Sequence, residues 1–183
     1  MNNKLFIFSI LVIFVFGYAV YEAIKLDKKF SVGANKHTGS VIKEIPKNVS
    51  FKNLQGEDVL LNKVLDGKKS VFVHFWATWC APCEVEFPEL VDFINEMKNK
   101  DIVFALVAVN DDLPKIKKFL KRFKAQDLEN TLILRDDNNE FNKFGTYKLP
   151  ESFVFNSSGS LVKLFSGQQP WTQKYIIDIF NSL

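Results

Sequence analysis

The feature that most constrains this chain is a pair of cysteines, Cys80 and Cys83, at the junction between an unbroken apolar run and an amphipathic segment. Ser70–Trp76 reads SVFVHFW, nearly all apolar and rich in β-formers. Such a run suits a central strand covered on both faces. After Pro82 the period changes: Phe87, Leu90, Val91, Ile94 and Met97 recur at three- and four-residue spacing, with Glu89, Asp92 and Glu96 on the other side. That pattern predicts a helix. Pro88 lies inside it, where its missing N–H and its ring are expected to produce a kink. The local fold is therefore strand, short loop, helix, with Cys80 arriving where the helix begins.

That position has chemical consequences. The unpaired N–H groups and the dipole of a helix N-terminus favour a thiolate, so the Cys80 thiol is expected to be more acidic and more nucleophilic than an ordinary cysteine. Cys83, three residues on, faces back toward it. The geometry lets Cys80 attack a disulfide and Cys83 resolve the mixed disulfide, or lets the reverse sequence oxidise a dithiol. The same two-residue spacing serves half of many zinc sites. Here the other half is missing: these are the only two cysteines, and the only histidines, His37 and His74, lie far apart. A four-thiolate site is excluded, and a two-cysteine, two-histidine finger would need another spacing. No metal and no cofactor is expected beyond the Cys80–Cys83 pair itself, and with no scaffold of structural disulfides the core must supply the stability.

The 183 residues, 47% hydrophobic and 14% aromatic, suffice for one globular domain with a real core. The net charge of +3 is concentrated at the start: residues 1–29 hold four lysines and two acidic groups, leaving 20 basic against 19 acidic side chains. So balanced a body has no electrostatic footprint for nucleic acid. β-like pieces at Ser50–Asn53 and Val59–Leu61 flank Gln55-Gly56 as a hairpin. Ile102–Val109 is a second buried strand, and Asn110 to Pro114 supplies capping acceptors and a first-turn proline for a helix burying Ile116, Phe119, Leu120 and Phe123. The outer face of that helix is basic and reads as solvated, with contact to anionic lipid as the sharper alternative. Thr131–Leu134 is a further strand. Ser152–Phe155 and Leu161–Phe165 form a hairpin, and Trp171–Phe180 a terminal helix introduced by Pro170. Alternating strands and helices closing in a hairpin and helix make an α/β sandwich.

Leu5 to Tyr21 are seventeen residues without a charge, at the lower end of what spans a bilayer. With Lys4 before it, the run reads as a transmembrane signal anchor over residues 5–24, after a short segment 1–4 and before a polar linker 25–48 in which His37 is a solvated residue. A cleaved secretory signal, with small residues at Gly17 and Ala19, is the alternative. The anchor is preferred because the run exceeds the ~7–15 residues of a usual signal core. Lys25, Lys28 and Lys29 follow the run, so a positive-inside count would hold residues 49–183 in the cytoplasm.

The sequence from Phe75, F-W-A-T-W-C-A-P-C-E-V-E-F-P, with the strand before it and the proline-bearing helix after it, resembles the thioredoxin superfamily. Together with Leu149-Pro150-Glu-Ser-Phe153 it is similar to the membrane-anchored TlpA/ResA/DsbE branch, over about residues 49–183. The resemblance implies a thioredoxin-like three-layer sandwich with a central mixed β-sheet and an extra N-terminal β-hairpin. It also implies a membrane-tethered thiol-disulfide oxidoreductase, single-pass in the cytoplasmic membrane, with its domain on the periplasmic or extracytoplasmic side against the lysine count. Its partners would be protein disulfides or dithiols such as apocytochrome c in cytochrome c maturation, and a transmembrane thiol electron donor. Pro150 occupies the place of the family's cis-proline, which with Leu149 presents backbone to a substrate strand. Glu86, one turn after Cys83 at the edge of the apolar stripe, matches an acidic position of that branch, where a partly desolvated carboxyl with a raised pKa exchanges protons with the thiols. His74, six residues before Cys80, is a departure: thioredoxin has a buried aspartate there. It either relays a proton to Cys83 or packs with one nitrogen hydrogen-bonded, the packed reading being preferred. Trp79 adjoins the nucleophile and is the aromatic expected at the substrate surface, whereas Trp76 reads as core.

Two other functions compete with a reductase. A general disulfide oxidase is weakened by Ala81-Pro82, which lacks the histidine typical of strongly oxidising relatives. A copper metallochaperone shares the fold and would use soft thiolates, but such proteins resemble C-x-x-x-C with a distant histidine.

Overall fold

The structure is a computed structural model that describes Gly17, Tyr18, Val20, Tyr21, residues 42–64 and residues 69–183. The chain divides into two compact units, Met1–Gly39 and Ser40–Leu183. In the first, the four described residues are helical and exposed. The anchor expected over residues 5–24 lies otherwise outside the described residues, as does His37. Among the described residues no helix is long and apolar enough to cross a membrane.

The second unit is built on one seven-stranded sheet. In chain order its elements are β1 (Ser50–Asn53), β2 (Asp58–Leu60), α1 (Leu61–Val64), β3 (Ser70–Trp76), α2 (Ala81–Glu96), β4 (Ile102–Val109), α3 (Leu113–Arg122), β5 (Thr131–Asp136), a 3-10 turn (Glu140–Phe144), β6 (Glu151–Phe155), β7 (Leu161–Ser166) and α4 (Lys174–Asn181). The strand order is β2-β1-β5-β4-β3-β6-β7. β3, β4 and β5 run parallel, while β1–β2, β1–β5, β3–β6 and β6–β7 are antiparallel. The mixed sheet and the N-terminal hairpin are thus present, and Gly56, at φ 89°, makes the hairpin turn that a side chain would resist.

β3 is central and wholly buried because its alternate residues feed two cores. Phe72 and Trp76 point into a layer with Phe87 and Phe93 of α2, Ile116 and Phe119 of α3, and Ile176 and Phe180 of α4. Val71, Val73 and Phe75 point the other way, to Phe51, Leu61, Phe144, Phe153 and Phe155. All three long helices therefore cover one face, and the opposite layer is made of α1, the 3-10 turn and the stretch before β1. Truncating a fully buried phenylalanine such as Phe93 would cost about 3–5 kcal/mol.

Three expectations need correcting, and one element is new. The tether expected over residues 25–48 ends early: Glu44 bridges Ser160, the Ile45 N–H bonds Gly159, and Ile45 is buried, since an apolar pair such as Ile42 and Ile45 gains more by packing than by hydration. Asp112 is the residue before α3, but its carboxylate pairs with Lys115 and caps no amide. The last helix starts at Lys174, because Trp171 turns inward and is buried. The 3-10 turn was not anticipated; the Asp136 carboxylate nucleates it by accepting the N–H groups of Asn138, Glu140 and Phe141.

Candidate active site

Cys80 is the N-cap of α2, with extended backbone (φ −92°, ψ 103°), and Cys83 lies in the first turn. Their sulfurs are joined in a disulfide with the Cα atoms 5.3 Å apart. The Cys83 N–H donates to Cys80 Sγ at 3.3 Å, so the helix start aims a dipole and a hydrogen at that sulfur. Only Cys80 reaches the surface: it is 6% exposed and Cys83 is wholly buried. An incoming sulfur must therefore meet Cys80 first.

The loop that carries Cys80 is tied to the end of β4. The Thr78 N–H and hydroxyl both donate to the Asp111 carboxylate, and the Trp79 indole N–H donates to the Asn110 carbonyl at 3.1 Å. Trp79 itself stays 62% exposed and walls a cavity of about 520 Å³ beside Cys80. The facing wall comes from Tyr147, Lys148 and Leu149. The Leu149–Pro150 bond is cis. Pro150 is buried behind Leu149 at the start of β6, and its carbonyl accepts the Gly167 N–H at 2.9 Å.

Glu86 lies deeper than the edge position expected of it, at 1% exposure. Its Oε2 accepts the Gln169 N–H at 2.8 Å and the Trp171 indole N–H at 3.3 Å, both from the segment before α4. Its Oε1 has no hydrogen-bond partner and faces His74 Nε2, also unpartnered, at 3.6 Å. Burial pushes the Glu86 carboxyl up to about 7, against the lowering effect of those two donors. His74 is wholly buried on β3 opposite Ser152, and burial alone lowers its pKa to about 3. It is therefore neutral, with Nδ1 2.8 Å from Ser152 Oγ.

Folding thus gathers Cys80, Cys83, Glu86 and His74 at one end of β3 and α2, and sets Trp79 and Leu149 on the cavity, with Pro150 adjoining. Trp76 packs between Phe87 and Phe119 in the core. Residue patterns missed Gln169 and Trp171 as donors to Glu86, Ser152 as the partner of His74, and the Thr78–Asp111 tie. Three of these join residues at least 78 apart in sequence, and no local spacing announces them.

The family model described as Redoxin matches residues 41–178. The chain is similar to the thiol-disulfide oxidoreductase ResA of Bacillus subtilis (strain 168), 25% identical over 166 residues, covering 90% of this chain and 83% of that protein. The ResA of Bacillus cereus (strain ATCC 10987 / NRS 248) is 27% identical over 175 residues, covering 92% of each. Among solved structures, a thiol:disulfide interchange protein from Chlorobium tepidum TLS matches with a TM-score of 0.61 at 23% identity, over 77% of this chain and 97% of that one. A secreted Mycobacterium tuberculosis disulfide oxidoreductase homologous to E. coli DsbE matches with a TM-score of 0.61 at 17% identity, over 74% and 96%. These structural matches show the shared fold.

Proposed function

The chain belongs to the Redoxin family, in the ResA/DsbE-like branch of the thioredoxin superfamily, and from that premise we propose that this thiol-disulfide oxidoreductase works as a membrane-tethered reductase of protein disulfides outside the cytoplasm. The observation that carries the reading is the arrangement of the two sulfurs: Cys80 at a helix N-terminus on the rim of a cavity, Cys83 buried one turn before an acid.

In the reduced protein, the Cys80 thiolate attacks a substrate disulfide. The substrate S–S bond breaks, a Cys80–substrate bond forms, and one substrate thiolate leaves. Glu86 removes the proton of Cys83, whose thiolate then attacks Cys80 Sγ, re-forming the Cys80–Cys83 bond and releasing the second substrate thiolate. Two electrons pass from dithiol to substrate. A thiol donor in the membrane returns them, and the apolar N-terminal run holds the domain beside it. Trp79 and Leu149 grip the polypeptide around the substrate cysteine, and the Leu149-Pro150 backbone lies along it. A haem-receiving apocytochrome c, whose cysteine pair must be reduced before ligation, is the substrate this site would serve.

The test is to express Cys83→Ser in the native membrane and identify what becomes covalently held on Cys80. Apocytochrome c supports the reading, a broad set of exported proteins points to a general exchanger, and the absence of any adduct sinks exchange through Cys80.

A further inference from the structure

Beneath the dithiol, two buried polar atoms face one another without a conventional partner: Glu86 Oε1 and His74 Nε2, 3.6 Å apart. Every other polar atom of the two side chains is engaged, Glu86 Oε2 by Gln169 and Trp171, His74 Nδ1 by Ser152. A buried polar atom left unpaired is costly, and two of them aimed at each other invite one proton between them.

We propose that in the disulfide form His74 and Glu86 hold a single shared proton, carried on Glu86 Oε1 and donated to His74 Nε2, with the His74 Nδ1–H donated to Ser152. His74 is then a positioning residue for the acid that serves Cys83, and this inference rests on the exchange chemistry proposed above.

Three physical points support the arrangement. First, the alternative, an imidazolium beside a carboxylate, places two charges where both side chains are fully buried, and at 3.6 Å the attraction does not repay their desolvation. Burial drives both groups toward their neutral forms, the acid by raising its pKa to about 7 and the imidazole by lowering its pKa to about 3. Second, Oε2 already accepts two hydrogens, so the proton of a neutral Glu86 belongs on Oε1, the oxygen that faces His74. Third, Ser152 sits opposite His74 in the β3–β6 register, and its hydroxyl can accept the Nδ1–H, which leaves Nε2 free to receive the hydrogen of Glu86. The groups around the pair are Cys83 and Glu89 on α2, Ser152 on β6, and the Gln169 and Trp171 N–H donors before α4. Cys83 is held in the disulfide, and Glu89, engaged by Thr172, pushes Glu86 further up.

The chemistry balances as written. In the dithiol form Glu86 is the carboxylate; when Cys83 is activated its S–H bond breaks and an O–H bond forms on Glu86 Oε1, so the proton shared in the disulfide form is the one Cys83 gave up. His74 Nε2 receives that hydrogen in a hydrogen bond, so the acid form is no longer an unpaired group in the core. The electrons follow the sulfur path described above, from the Cys80–Cys83 dithiol to the substrate disulfide.

The test is nuclear magnetic resonance of the full chain in its disulfide form, with ¹⁵N in histidine and ¹³C in the glutamate carboxyls. Expected at pH 5 to 6 is a neutral His74 with hydrogen on Nδ1 and none on Nε2, a result that needs no variant. In His74→Asn, whose shorter side chain withdraws the acceptor, the Glu86 midpoint falls by about half a unit or more, since only the protonated form loses a partner. A hydrogen on Nε2 below the midpoint, or an unmoved midpoint in His74→Asn, overturns the proposal. In the exchange assay, His74→Asn/Glu86→Gln is expected to be no slower than Glu86→Gln alone; additional slowing beyond about twofold shows His74 acting other than through Glu86 and also overturns it. Should the protein fail to exchange thiols at all, the resonance data still decide the shared proton, while the functional reading falls.

Discussion

Thr78 and Asp111 are joined twice across 33 residues: the Thr78 N–H donates to Asp111 Oδ2 at 2.5 Å and its hydroxyl to Oδ1 at 2.9 Å. The tie holds the loop before Cys80 against the end of β4. Asp111→Ala removes both of these hydrogen bonds and the one from the Asp112 N–H, and is expected to cost about 1–3 kcal/mol, with slower exchange because Cys80 is less firmly placed. Denaturant unfolding checks the first part; a variant as stable as its parent would mean that the tie does not hold the loop.

The buried pair also predicts how stability varies with pH. For Glu86 the folded pKa, about 7, stands above its ordinary value of 4.5. The folded state keeps a proton that the unfolded chain loses, so this contribution declines as pH rises between those values. For His74 the folded pKa, about 3, stands below 6.5. Here the unfolded chain holds the extra proton, so stability grows as pH rises from 3 to 6.5. Between pH 4.5 and 6.5 the two slopes oppose and cancel. Each single variant should unmask the other group. Glu86→Gln gains stability with rising pH and His74→Asn loses it, by up to about 1.4 kcal/mol per pH unit in each case. Urea unfolding of the disulfide form at pH 5 and 6 reads both, and two variants sloping the same way would refute the assignment.

Trp171 acts on the other oxygen of Glu86. Trp171→Phe keeps an aromatic ring among Phe72, Phe93 and Phe165 but removes the indole N–H from Oε2. That donor favours the charged carboxylate, so its loss should raise the Glu86 midpoint by about half to one unit, opposite in direction to His74→Asn. A carboxyl titration separates the two, and a fall in Trp171→Phe would contradict the geometry.

Trp79 lies at the surface while its neighbour in the motif, Trp76, is core. Trp79→Ala should leave stability within about 0.5 kcal/mol of the parent, because little is uncovered. An exposed tryptophan beside a nucleophile is a natural anchor for polypeptide, and its truncation should lower kcat/KM for a disulfide-containing peptide by about 10- to 30-fold, mostly through KM. Equal kcat/KM for both proteins would remove Trp79 from the binding surface.

What could be read in the residues, and what could not, divides along physical lines. β3, β4 and α2 were legible because burial on two faces or one leaves a strong period in the chain, and the Cys80-x-x-Cys83 spacing needs only one helical turn to be understood. The ends of helices were less so. Asp112 looks like a cap but finds Lys115 first, and Trp171 follows a proline yet is drawn inward by the apolar cluster around Phe72 and by Glu86. The surroundings of Glu86 were the least legible. Its place at the edge of the helical stripe suggested partial burial, and only the docking of residues 167–173 over α2 makes burial nearly complete. His74 is expected to pack with one nitrogen hydrogen-bonded, but its partner Ser152 is brought alongside by sheet register and not by proximity in the chain.

That long-range assembly bears on how the protein is made. Cys80, Cys83 and Glu86 leave the ribosome about eighty residues before Gln169 and Trp171, whose hydrogens complete the carboxyl site. Strand β6, bearing Ser152 and following Pro150, arrives late as well. A chain passed across a membrane behind an amino-terminal anchor would show its thiols to the far side while the residues that hold their acid are still being synthesised. In that interval Glu86 lacks the two N–H donors that hold its carboxyl. Closure of the C-terminal hairpin and helix is then the event that completes the proton site beside the dithiol, and a chain cut short before Gln169 would keep the motif but not the enclosed acid.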